Sequence, residues 1–166
     1  PRPNILQEGP GQCRRILVQS PILTNAELEK IRSVPDPEFK SRTLKMVFRA
    51  SDGSKGLRAG IANLCRHASL AIRQGVKFLI LSDRTIDSEW APIPSLLAVS
   101  AVHHHLVRKS LRAEVAIIVE SGEPRDVHHF ACLIGYGAGT INPYLVFESL
   151  TDMEHEGYLP EGIDSS

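Results

Sequence analysis

Two runs of histidine are the first residues to weigh for chemistry. His103-His104-His105 and His128-His129 supply imidazoles, the commonest side chains for binding transition metals. Ligands on one helix must stand three or four residues apart to share a face, because adjacent positions diverge by about 100°. Neither run has that spacing within itself, and no acidic residue stands at metalloprotease distance from either. His103 also falls in the stripe Leu96, Val99, His103 and Leu106, so it is expected as a hydrogen-bonded histidine beneath a packed helix. A site that takes one histidine from each pair, and with it a metal-dependent hydrolase, needs the two helices to be neighbours. That is the third reading in order of preference, and no metal ligand is assigned.

Other motifs fail on context. Gly135-Tyr136-Gly137-Ala138-Gly139 suggests a dinucleotide loop, which needs a strand before the glycines and a helix after them. Here the patterning places a helix first and a strand second, and the third glycine comes one position early. The run reads as a tight helix-to-strand connection. Cys13, Cys65 and Cys132 are odd in number and far apart, with no CxxC pair, so zinc-ribbon and thioredoxin-like readings fail. Cys65 and Cys132 fall on or beside apolar helical stripes and are read as inert packing. His67 is two residues from Cys65 and points away from it. There is no G-x-S-x-G elbow for a serine nucleophile.

The polar groups that remain lie at the ends of apolar runs. Ser82, Asp83 and Arg84 follow the run Val76–Leu81; Glu120, Ser121 and Gly122 follow Val115–Val119; Asn142 closes Gly139–Asn142. The elements around them alternate. Thr43–Arg49 reads as a half-exposed strand, with Leu44, Met46 and Phe48 on one face. Gly56–Gln74 is a helix with Leu57, Ile61, Leu64, Ala68 and Ile72 in a stripe, stopped by Gly75. Pro94 opens a helix that runs to about Arg108. Arg125–Ile134 is helical, with Val127, Phe130, Ala131 and Ile134 on one side, and Tyr144–Glu156 forms the last helix. Ahead of these, Thr24–Arg32 is a short helix with a Thr24/Glu27 capping box, ended at Val34-Pro35. The expected fold class is α/β: alternating β-α units forming a mainly parallel four-stranded sheet flanked by helices, part of a larger domain. Residues 1–22 are expected as an extended lead-in, and 23–166 as one domain. Loops after parallel strands converge on one edge, so Ser82, Asp83, Arg84, Glu120, Ser121, Gly122 and Asn142 become candidates for a channel or domain-interface lining. Helix caps and a structural ion pair are the competing reading.

Composition removes other classes. With 19 basic and 19 acidic residues in 166 there is no net field to attract nucleic acid or an anionic membrane. Aromatic residues, at 5%, are too sparse for base-stacking platforms. No apolar run reaches the ~20 residues of a membrane span, and the N-terminus lacks signal-peptide patterning. A cytoplasmic chain is the default. It begins at Pro1, which suggests a processed or excerpted sequence.

Several blocks taken in order carry a resemblance. They are Ser20–Glu29 (SPILTNAELE), Ile80–Arg84 (ILSDR), Ala91–Val99 (APIPSLLAV) with Ala101–Val107 (AVHHHLV), Val119–Arg125 (VESGEPR) with Val127–Phe130 (VHHF), and Leu133–Ala138 (LIGYGA) with Ile141–Leu145 (INPYL). Together, from about residue 2 to 160, they resemble the central domain of the glutamate synthase large subunit. The resemblance implies a connecting domain between a glutamine amidotransferase domain, whose nucleophile is a first-residue cysteine, and an FMN-containing barrel. Ammonia passes between them inside the protein and reacts with 2-oxoglutarate, with electrons arriving through an iron–sulphur cluster. None of those catalytic motifs is present here, so no catalytic or cofactor-binding residue carries over. The resemblance implies those two domains as partners, and the chain alone is expected to be inactive and either to self-associate or to be only marginally stable. An independent small-molecule-binding α/β protein derived from the same domain is the alternative.

Overall fold

The computed structural model describes residues 16–158; residues 1–15 of the expected lead-in, including Cys13, lie outside the described residues. Four strands form one parallel sheet: β1 (Ser41–Lys45), β3 (Phe78–Ser82), β5 (Ala116–Glu120) and β6 (Thr140–Asn142), in the order β1-β3-β5-β6. Helices α1 (Asn25–Ser33), α2 (Gly53–Arg73), α3 (Ser95–Arg108), α4 (Val127–Gly135) and α5 (Tyr144–His155) complete the alternation. Two further short strands, β2 (Val47–Arg49) and β4 (Trp90–Pro92), pair antiparallel beside the main sheet.

The continuous apolar runs are explained by burial on both sheet faces. In β3, Leu79 and Leu81 enter the larger core with Leu64, Ala68 and Ile72 of α2 and Val99, Val102 and Leu106 of α3. Phe78 and Ile80 point the other way and join Leu28 and Ile31 of α1. The α1 helix starts where its capping box predicts: Glu27 N donates to Thr24 Oγ1 at 3.2 Å, and Thr24 N donates to Glu27 Oε2 at 2.8 Å. Ahead of it the chain lies beside β6, with Leu23 N donating to Ile141 O at 2.8 Å and Ile141 N to Pro21 O at 2.7 Å. That covers one otherwise open sheet edge.

Three expectations need correction. Thr43–Arg49 is not one strand, because Met46 is the pivot at which the chain leaves the main sheet. Its N–H donates to Ser82 O at 2.9 Å, while its carbonyl accepts from Ile93 N at 2.8 Å and turns the next residues toward β4. The helix expected from Gly56 begins at Gly53, after a 3-10 turn over Ala50–Asp52. Gly56 and Gly60 instead let it press on β2, since a Cβ at Gly60 would lie 3.0 Å from Phe48 Cβ. Of the side expected for helix α4 only Phe130 is partly covered, while Val127 is 84% and Ile134 42% exposed, and the buried residue is Leu133. The helix starts only at Val127 because the Asp126 carboxylate caps it, accepting from His128 N and His129 N.

Gly137 makes the turn from α4 into β6 with a φ of +112°, and a Cβ there would stand 2.2 Å from His103 Nδ1. Gly135, two residues earlier, has open space around its Cβ position. Gly137→Ala is therefore expected to lower unfolding free energy by about 1–3 kcal/mol, whereas Gly135→Ala should be neutral or stabilising by up to about 1 kcal/mol. Urea unfolding of the two variants makes the comparison, and equal midpoints would refute this account of the turn.

Candidate functional site

Parallel pairing in register brings the ends of β3, β5 and β6 level, so the residues singled out in the sequence meet. Asp83 N donates to Glu120 O at 3.2 Å, and Ser121 N donates to Asn142 O at 3.1 Å. The side chains interlock in the same place. Ser121 Oγ donates to Asp83 Oδ2 at 2.6 Å, and Gly122 N reaches both Asp83 oxygens at 3.3 Å. Ser82 Oγ accepts from Arg84 N at 3.3 Å. Asn142 Nδ2 donates to Leu23 O and to Asn25 Oδ1, each at 2.9 Å, while its Oδ1 is buried without a donor among the described residues.

Glu120 is only 1% exposed, a setting in which a carboxylate needs charged partners. It has two. Arg84 Nε donates to its Oε1 at 2.9 Å, and Arg32 Nη2 from α1 donates to its Oε2 at 2.6 Å. Burial works against the Arg32 charge, but its hydrogen bonds to Glu120 and Glu29 outweigh that and leave its pKa raised. Arg84 continues outward to Glu148 Oε1 of α5 at 2.9 Å, and its guanidinium carbon lies 4.1 Å from the Tyr144 ring centroid. Arg32, Asn25, Tyr144 and Glu148 were missed in the sequence. A basic residue in the last turn of α1 and a tyrosine just after β6 are ordinary features until the fold places them beside Glu120 and Asp83.

Ser121 bonds a carboxylate rather than an imidazole, and burial, the charge of Asp83 and the hydrogen bond to it push the Tyr144 hydroxyl up and keep it protonated. Two of the histidines, His103 and His105, are engaged elsewhere. Arg112 Nε donates to His103 Nδ1 at 3.0 Å, while its other nitrogens donate to Val115 O and Gly137 O at 2.8 Å each. His105 Nε2 lies 2.8 Å from Ser69 Oγ. Burial is the main reason that both His103 and His105 have lowered pKa values. Among the described residues no group of three or more His, Cys, Asp and Glu is arranged to hold a metal, and Cys65 and Cys132 lie on different helices. These residues do not fit an iron–sulphur cluster. Cys65 is buried as expected, whereas Cys132 is only partly covered and lies beside His128.

Burial pushes the Asp83 carboxyl above its ordinary value of 3.8, against the pull of Ser121, Tyr144 and Gly122, with Glu123 adding to the rise. The folded chain thus holds this proton more tightly than the unfolded chain does. The favourable contribution is complete below the unfolded-state pKa and fades as pH rises through the folded-state value. On going from neutral pH toward about pH 4, wild type should gain stability relative to Asp83→Asn. Urea midpoints across that range measure it, and a gap that is flat or moves the other way would contradict the assignment.

Comparison with known proteins gives the family. A family model described as the glutamate synthase central domain matches residues 1–165. The chain is 39% identical over 165 residues to an NADH glutamate synthase of Schizosaccharomyces pombe, covering 98% of this chain and 8% of that protein. It is 44% identical over 156 residues to the large chain of an NADPH glutamate synthase of Bacillus subtilis, covering 94% and 10%. A ferredoxin-dependent glutamate synthase of Pyropia yezoensis is 43% identical over 148 residues, covering 88% and 9%. The chain thus spans about a tenth of the length of these relatives. On this match across nearly its whole length, the chain belongs to the glutamate synthase central domain family.

Proposed function

We propose that this chain is the non-catalytic connecting domain of a cytoplasmic glutamate synthase, joined to an amidotransferase domain and an FMN barrel and forming part of the wall of the ammonia passage. The carrying observation is the family match over residues 1–165 together with a strand-end edge whose polar groups bind one another. Such an edge commonly binds a ligand in α/β proteins. Here Asp83, Glu120 and Ser121 are turned inward, which suits a joint or a wall better than a reaction centre. Ammonia serves as a nucleophile only while it is unprotonated and kept from bulk water, so a passage needs rigid, closed sides. The relatives' names differ in their electron donor, NADH, NADPH or ferredoxin, while this segment stays similar. That supports a role common to all three, with flavin and iron–sulphur chemistry supplied by other domains.

The test belongs in the full-length enzyme. Arg84 and Glu120 link the edge to α1 and α5, so Arg84→Ala and Glu120→Gln should loosen the wall without touching either reaction centre. Glutamine hydrolysed per glutamate formed is expected to rise above parity in both variants, with hydrolysis itself largely retained. Unchanged stoichiometry in two folded variants would remove the passage from this reading.

A further inference from the structure

Away from the strand ends, α4 carries a pair of side chains with metal-binding geometry. His128 and Cys132 stand four residues apart, one turn along the same face, and Cys132 Sγ lies 3.6 Å from His128 Nε2. Both line a cavity of about 280 Å³ that also includes His129, Glu123, Ser95, Pro124 and Leu133, and there Arg125 N donates to His129 Nδ1 at 3.2 Å. Ser95 N and Oγ both donate to Glu123 Oε2, at 2.7 and 2.6 Å, so the carboxylate is fixed in the cavity wall with Oε1 outside those bonds. Asp126 caps the first turn of α4 and accepts from His128 N at 2.9 Å, which holds the backbone under the imidazole.

We propose that His128 and Cys132 form a two-point chelate for a borderline-soft divalent cation of the zinc class. Bond lengths of about 2.3 Å to sulfur and about 2.0–2.1 Å to imidazole, at a tetrahedral angle, separate the two donors by about 3.6 Å. The pair already has that separation. A thiolate and a neutral imidazole favour zinc-class ions over magnesium or calcium, and the negative charge of Glu123 favours a cation in the cavity. His128 is exposed and Cys132 partly so, which leaves an entry path from solvent. Among the described residues no further His, Cys, Asp or Glu completes the set, so water fills the remaining positions and the site is open. Cys65 does not compete, being buried, with its thiol pKa pushed up by that burial.

Cobalt(II), a spectroscopic stand-in for zinc, tests this on the full 166-residue chain. The chain is kept reduced and carries Cys13→Ser, so that only the two described thiols report. A near-ultraviolet thiolate-to-cobalt charge-transfer band should grow and saturate at one equivalent, and added zinc should displace it. Cys132→Ser should abolish the band, His128→Gln should weaken binding by on the order of a hundred-fold by removing the chelate, and Cys65→Ser should change nothing. Circular dichroism establishes that each variant is folded. No band in the parent chain, a band that survives Cys132→Ser, or unchanged affinity in His128→Gln overturns the proposal.

Discussion

A carboxylate with almost no access to water sets the organisation of this domain. Glu120 ends the central strand β5, and an ionised group there is tolerable only with opposite charge and donors close by. Arg84, from the end of the neighbouring strand, takes one oxygen, and Arg32, from α1 on the sheet's other flank, takes the second. Arg84 then stacks over Tyr144 and bonds Glu148, which ties α5 to the same point. One buried charge thereby fixes the relative positions of a helix before the sheet, two strand ends within it and a helix after it. Removing one partner of such a group leaves an uncompensated buried charge, which is why these arrangements are sensitive to truncation.

Asp83 repeats the theme one residue further out. Its carboxylate gathers Ser121, Gly122 and Tyr144, so the loops after β3 and β5 and the start of α5 share one acceptor. The edge that in other α/β folds opens into a binding crevice is occupied here by the protein's own polar side chains. The chain belongs to the glutamate synthase central domain family, and the polar groups at its strand ends bind one another. A sheet edge cross-linked in this way by buried polar contacts holds its own strands and flanking helices in fixed relation.

The sequence disclosed whatever depended on local pattern. Runs such as Phe78-Leu79-Ile80-Leu81 announce a strand covered on both faces, and Thr24 with Glu27 announces a helix start, because the cause lies within a few residues. The convergence of Ser82–Arg84 with Glu120–Gly122 was also legible, since parallel register forces strand ends together. What stayed hidden depended on distant partners. Met46 breaks its strand because Ile93, far along the chain, takes its carbonyl. Helix α4 shows an apolar side in sequence, yet of that side only Phe130 is partly covered, and the helix packs chiefly through Leu133. Arg32 gave no sign of its role until α1 was laid across the sheet. His128 and Cys132 were legible in principle as an i, i+4 pair, but the adjacent histidine drew the reading to a spacing that cannot chelate.

The most direct test of Glu120 as the organising tie is a double-mutant cycle on unfolding free energy with Arg32→Ala, Glu120→Ala and the pair. Shared dependence on one buried contact predicts a coupling on the order of 1–3 kcal/mol, with the double variant less damaged than the sum of the singles. Additivity within about 0.5 kcal/mol would contradict it and show that the strand-end charges act independently.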